Sequence, residues 1–282
     1  MAFTELLQMI AQNFLMTLRI IAMVTALLIA IEYIELKYKD GISRLLLGRP
    51  LRQCVIASLL GAIPGCLDAF LVVSLYIHGM VGFGALTAVM LSTAGDEAFI
   101  MLTMAPKAAL AIFAINTVLG IIGGYLSNKI FERLRIDTSQ ICEITTHDEF
   151  SNAHFLKEHV YRHILRGHVP KLFFWIFIPL AAINLTMKYF DLTSLLSGFP
   201  LLLMIIIAAL VGIIPESGPH MIFLILYTKG IVPFSVLLVS TLSQDGHGLL
   251  PLLSHSWKDT VYVQIFTTIF SLFIGILMIL TT

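Results

Sequence analysis

Long apolar runs rich in Leu, Ile, Ala and Met make up most of the chain, and polar residues interrupt them in blocks instead of alternating with them. Runs without strand-period alternation predict helices, and helices that are apolar on every face belong in lipid or in a protein core. The first run starts after Glu5 and Gln12-Asn13, contains Arg19 and extends to about Ile34. It is long enough to span and reads as a retained first helix instead of a cleaved signal. The expected fold class is an all-α, polytopic membrane protein.

The polar blocks orient the chain. Lys37 to Arg52 holds five Lys/Arg, and Lys129 to Lys171 holds seven of the total seventeen. The positive-inside bias puts both in the cytoplasm. The apolar stretch from Cys54 to Tyr125 then crosses an even number of times, and both termini are expected outside. Three parts follow: a transmembrane repeat over residues 1–128, a His-rich cytoplasmic linker over 129–170, and a second transmembrane repeat over 171–282. Because the second part starts inside and the first outside, the two have opposite orientation.

A self-comparison gives this division a second basis. At an ungapped offset of 151 residues, thirteen of the 46 positions from Gly61 to Pro106 are identical. Gly61, Ile63 and Pro64 fall on Gly212, Ile214 and Pro215, Tyr76 falls on Tyr227, Ser92 on Ser243 and Gly95 on Gly246. Shared apolar composition does not align Pro, Tyr, Ser and glycines without a gap, so the chain contains a duplication. Duplication with opposed orientation is the inverted-topology construction of secondary transporters.

Within each repeat the apolar runs are short. Leu51 to Ala62 would make about 18 Å of helix against a core of roughly 30 Å, so broken or re-entrant helices are expected. The breaks are marked by Pro64 and Gly65, by Gly95, by Pro215 and Gly218, and by Gly246. Backbone freed at such breaks is tolerated at membrane depth only where it lines a cavity or is buried in protein.

Composition sharpens the picture. Hydrophobic residues are 58% and charged residues only 12% of 282, with a mean hydropathy of +0.95. Seventeen basic residues balance seventeen acidic ones, so there is no cationic excess for nucleic acid. Cys54, Cys66 and Cys142 form no CxxC pair, which argues against a disulfide framework or a thiolate zinc site.

The chemistry-bearing residues inside the apolar segments gather at the breaks. They are Asp68, Asp96, Glu97, Glu216, His220, Asp245 and His247, with neutral oxygens from Ser92, Thr93, Ser217, Ser243 and Gln244. A carboxylate at mid-membrane costs at least about 2.5 kcal/mol on insertion scales and therefore pairs with a cation or a proton. Five carboxylates with two imidazoles and no interleaved Lys or Arg suit a hard or borderline divalent cation, Mn²⁺ first and Zn²⁺ second. The competing explanation is that the prolines and glycines only kink helices and the acids are protonated. In the linker, His159 and His163 share a helical face at i, i+4, and His154, Glu158 and His168 would complete a metal clamp; an amphipathic surface helix explains the same residues.

The strings Gly212-Ile-Ile-Pro-Glu-Ser-Gly-Pro-His220, Ser243-Gln-Asp-Gly-His-Gly248, Ile63-Pro-Gly-Cys-Leu-Asp68 and Ser92-Thr-Ala-Gly-Asp-Glu97 resemble the ten-helix heavy-metal exporter family, whose members are described as manganese transporters or arsenic efflux proteins. The resemblance spans nearly the whole chain, including Lys157 to His159 in the linker. It implies an exporter of the bacterial inner membrane and assigns the motif role to Glu216, Ser217, His220, Gln244, Asp245 and His247, and in the first repeat to Asp68, Asp96 and Glu97.

The expected function is export of a divalent metal, Mn²⁺ before others, by proton antiport. No cofactor is expected, the partners are the metal substrate and the bilayer, and a homodimer is compatible. Export of arsenite or of an organic or anionic solute is the alternative. An intramembrane metal-dependent hydrolase is disfavoured because no HExxH occurs and Ser217 has no GxSxG setting, so the chain reads as no enzyme.

Overall fold

The computed structural model describes residues 49–64, 67–95, 97–134, 198–216 and 219–281 continuously, together with 7–19 and scattered positions in 4–29 and 166–185. Gly65, Cys66, Asp96, Ser217 and Gly218, the linker residues His154, Glu158, His159, His163 and His168, and the side chain of Asp68 lie outside the described residues. Among the described residues, regular structure is helical apart from one bridging residue, Gly95.

Besides the helical residues 7–19, the helices with defined bounds among the described residues are, before the linker, α1 Pro50–Gly61, α2 Leu67–Ile77, α3 Phe83–Ser92, α4 Glu97–Met104 and α5 Pro106–Leu134. After it come α6 Leu201–Val211, α7 Met221–Thr228, α8 Phe234–Ser243, α9 Leu249–His255 and α10 Trp257–Thr281. A 3₁₀ turn, Gly246–Gly248, joins α8 to α9. The boundaries repeat at the sequence offset of 151: α1, α3 and α5 start at residues 50, 83 and 106, and α6, α8 and α10 start at 201, 234 and 257. α5 continues to Leu134, past residue 128 where the sequence reading closes the first repeat, because Ile130 and Phe131 extend its apolar pattern.

The same local chemistry sets these boundaries in both halves. α1 has Pro within its first two positions, where a missing N–H costs nothing. It stops at Gly61, just ahead of Pro64, whose ring and absent N–H forbid continuation. α2 and α7 end in identical Schellman turns: Met80 N donates to Leu75 O at 2.9 Å and Ile231 N to Leu226 O at 2.9 Å. The left-handed residues in those turns are Gly79 (φ 71°) and Gly230 (φ 70°).

α1 and α2 form a hairpin. Gly82, in the turn after α2, donates its N–H to Gln53 Oε1 in the first turn of α1 at 3.0 Å, so the chain returns to the level where α1 began. α3 then runs beside α1, and their far ends meet where Gly61 lies against Ser92. The second half repeats this, with Gly212 at the end of α6 lying against Ser243 at the end of α8. In both places a Cβ on the glycine would fall onto the serine hydroxyl, so close approach demands glycine there.

Only α5 and α10 are both long and apolar enough to cross a bilayer by themselves among the described residues. Their polarity is inverted relative to a soluble helix. Asn116 on α5 and Thr267 and Ser271 on α10 are fully buried, whereas Val118, Ile122, Leu126 and Ile130, and Ile265, Ile269 and Phe273, form exposed apolar stripes at helical spacing. Such a pattern puts lipid outside and polar contacts inside.

Each of the two core clusters draws on both halves. One cluster joins α6, α7 and α8 to Ala98 and Met101 of α4 and Ile112 of α5. The other joins α1, α2 and α3 to Leu249 and Leu252 of α9 and Val263 of α10. The first cluster also takes Phe266 and Phe270 of α10 and the second takes Phe131 of α5, so each repeat packs within itself as well as against the other.

Candidate functional site

α3 and α8 both stop abruptly at a serine and continue extended. Thr93 (φ −74°, ψ 138°) and Gln244 (φ −77°, ψ 120°) are the first residues out of the helix. Two residues on, Gly95 and Gly246 both take φ 55°, a left-handed conformation that costs an L side chain roughly 1–2 kcal/mol. Their backbones thus turn sharply into α4 and into the 3₁₀ turn before α9.

At these two breaks the repeats touch. Gln244 Nε2 donates to the Ala94 carbonyl at 3.1 Å, which consumes one acceptor freed by the end of α3. Thr93 Oγ1 accepts the Gly95 N–H at 3.2 Å. Ser92 Oγ donates to Val89 O at 3.1 Å, and Ser243 Oγ lies 3.2 Å from both Ala208 O and Ser240 O. Ser92, Thr93, Ser243 and Gln244 therefore bond first to backbone at and beside the breaks.

The carboxylates are handled differently. Glu97 and Asp245 are each 1% exposed, and neither oxygen of either group has a hydrogen-bond partner among the described residues. Gln244 neighbours Glu97, and Thr267 of α10 neighbours Asp245, without completing a hydrogen bond. Two carboxyl groups, one from each repeat, thus flank the point where Gln244 crosses to Ala94.

Glu216 and His247 form the second feature. Glu216 follows Pro215 at the end of the α6 break, and His247 sits in the 3₁₀ turn. Their Oε2 and Nε2 atoms are 3.3 Å apart, and both residues are buried. His220, just ahead of α7, is fully buried; its Nδ1 is 3.2 Å from Ser240 Oγ, the Ile214 carbonyl neighbours its ring, and its Nε2 has no partner among the described residues.

The geometry separates the sequence-derived residues into groups. It joins Glu216 to His247, Gln244 to Ala94 beside Glu97, and His220 to Ser240. Among the described residues it brings no three His, Cys, Asp or Glu side chains together as a ready metal cage. Asp68 lies at the start of α2. Lys107, Lys229 and Lys258 sit at the ends of α5, α7 and α10, away from the breaks along each helix.

Two buried polar contacts escaped the sequence reading. Tyr76 Oη donates to Asp259 Oδ2 at 2.9 Å, and Asn116 Nδ2 donates to Thr241 Oγ1 at 3.3 Å. Each crosses between the repeats. Asn116 itself could have been singled out by asking which polar residues interrupt the long helices, because it and Thr267 occupy equivalent positions at the 151-residue offset.

With this geometry in place, comparison with known families decides the kinship. A family model described as "Putative, 10TM heavy-metal exporter" matches residues 4–193 and again 172–281. The chain belongs to this family. The match extends over both repeats and through the linker, and it makes the protein a multi-pass membrane protein of an exporter family. No curated protein and no solved structure matches the chain.

Proposed function

We propose that this exporter-family protein moves a divalent metal ion, Mn²⁺ in the first instance, across the bacterial inner membrane by alternating access at the two crossing breaks. The observation that carries the reading is the pair Glu97 and Asp245: two buried carboxyl groups from opposite repeats, both without partners among the described residues. Groups of that kind are retained at such cost when a cation or a proton occupies them in turn.

Glu216 and His247, 3.3 Å apart, add a carboxylate and an imidazole, and His220 adds a second imidazole with an open nitrogen. Oxygen with one or two nitrogens suits Mn²⁺ and tolerates Zn²⁺. Uncharged arsenite has no use for these acids.

The repeat supplies the mechanism. Equal starts of three helix pairs and matching glycine dihedrals at the 151-residue offset support two halves able to exchange conformations, and the charge bias of the sequence orients them oppositely with both termini outside. The hairpins α1–α2 and α6–α7 are then re-entrant from opposite faces. Metal binding requires deprotonated ligands, so the metal-free carrier returns protonated and export is coupled to proton entry.

Flux into proteoliposomes with Mn²⁺, Zn²⁺ and arsenite offered separately tests the proposal. Uptake of Mn²⁺ with opposite proton movement is expected; uptake of arsenite alone would replace the divalent-cation reading.

A further inference from the structure

The two repeats match in backbone but not at the ends of their hairpins. Tyr76, one residue before the end of α2, bonds Asp259 in the first turn of α10 at 2.9 Å. Both are buried, Tyr76 to 2% and Asp259 to 0% exposure. The residues equivalent to this pair at the 151-residue offset are Tyr227 and Ala108. The second tyrosine is kept, packed edge-on against Phe234 as Tyr76 is against Phe83, but alanine offers it no acceptor.

Burial follows the same asymmetry. Ile77, His78 and Met80 at the end of the first hairpin are 5%, 7% and 8% exposed. Their equivalents Thr228, Lys229 and Ile231 are all exposed. The backbone at the two places is the same Schellman turn, so the difference lies in what covers it. Among the described residues, the end of the first hairpin is covered and the end of the second is exposed.

We propose that the Tyr76–Asp259 hydrogen bond is a one-sided latch that holds shut the end formed by α2, α9 and α10. This rests on the alternating-access reading above, in which the two ends open in turn. Lys129 and Arg133 close α5 near Gly82, since Asn128 approaches Gly82, so the latched end is the cytoplasmic one by the positive-inside bias. With an acceptor at only one end, the resting protein favours the conformation open to the outside, and metal arriving from the cytoplasm must break the bond to enter. Tyr76 and Asp259 are positioning residues: they set which state is occupied and touch no substrate.

The test is labelling of single cysteines at the equivalent positions Ile77→Cys and Thr228→Cys, in detergent-solubilised full-length protein with Cys54, Cys66 and Cys142 replaced, using a hydrophilic maleimide that reaches both ends. Thr228→Cys is expected to label fast and Ile77→Cys slowly. Adding Tyr76→Phe should speed labelling at residue 77 and slow it at residue 228, changing the ratio of rates about tenfold, which corresponds to about 1.4 kcal/mol. Ala108→Asp, which offers Tyr227 the missing acceptor, should move both rates the other way. Faster labelling at 77 with no change at 228 is local loosening and overturns the latch, as do rates unchanged at both positions. Should Tyr76→Phe fail to fold, the Ala108→Asp arm decides by the same criteria. Labelling needs no metal, so a wild-type protein that transports none would refute the proposed function and leave this result readable.

Discussion

Gln244 Nε2 and the Ala94 carbonyl meet at 3.1 Å although 150 residues separate them. The bond ties the second break of one repeat to the second break of the other, and it does so beside Glu97. A helix end inside a membrane protein leaves carbonyls that neither lipid nor helix can satisfy. Here one repeat supplies the donor that the other lacks, so the breaks are stable only together.

Gln244→Leu should therefore weaken the joint without touching a carboxylate. A loss of about 1–2 kcal/mol is expected for a buried acceptor deprived of its donor, read as a lower midpoint of thermal unfolding in detergent. Gln244→Glu adds a third acid to the same place and should cost more. Equal stability of both variants and the wild type would mean that the crossing bond is incidental.

Glu97→Gln and Asp245→Asn should abolish metal flux while leaving the unfolding midpoint unchanged or raised. Each replaces a buried group that has no partner among the described residues with a neutral isostere, and an unpaired buried charge is a cost that folding no longer bears. Wild-type flux in either variant would remove that residue from the transport site.

Close packing at the first breaks gives an asymmetric rescue. A Cβ at Gly61 meets the Ser92 hydroxyl first and the Val89 carbonyl at 3.0 Å, so Gly61→Ala should destabilise by about 1–3 kcal/mol and recover in part with Ser92→Ala. At Gly212 the Ser243 main-chain carbonyl also stands in the way, and Ser243→Ala should not rescue Gly212→Ala. Thermal unfolding of the two double variants separates the cases.

Much of this architecture is legible in the sequence because Pro and Gly act locally. Pro64 and Pro215 end helices whatever surrounds them, and Gly95 and Gly246 adopt the same positive φ for the same local reason. The duplication added the register, since matching residues at one offset fold into matching helices. Long-range contacts were not legible. Asp259 follows Trp257 and Lys258 in what reads as the wet end of a helix, and its burial depends on the end of α2, 183 residues away. Pairing among the break residues was equally hidden, because spacing placed Glu216, His220, Asp245 and His247 at breaks without saying that His247 would meet Glu216 while His220 turned to Ser240.

Acid should compete with metal at the site. Protons and a divalent ion require the same carboxylates and imidazoles, so lowering pH on the metal-loading side should raise the KM for Mn²⁺ while saturating Mn²⁺ restores the maximal rate. A maximal rate that falls with KM constant would point to a titrating group outside the metal site.

The most direct measurement is binding of Mn²⁺ to the purified protein, followed by loss of the free-ion signal in electron paramagnetic resonance. Wild-type protein is expected to remove the signal of about one Mn²⁺ per chain. The double variant Glu97→Gln, Asp245→Asn is expected to leave that signal intact while unfolding at the wild-type temperature or above, since neither acid has a partner among the described residues. Equal Mn²⁺ binding by wild type and double variant, or none by the wild type, would contradict a metal site at the crossing breaks.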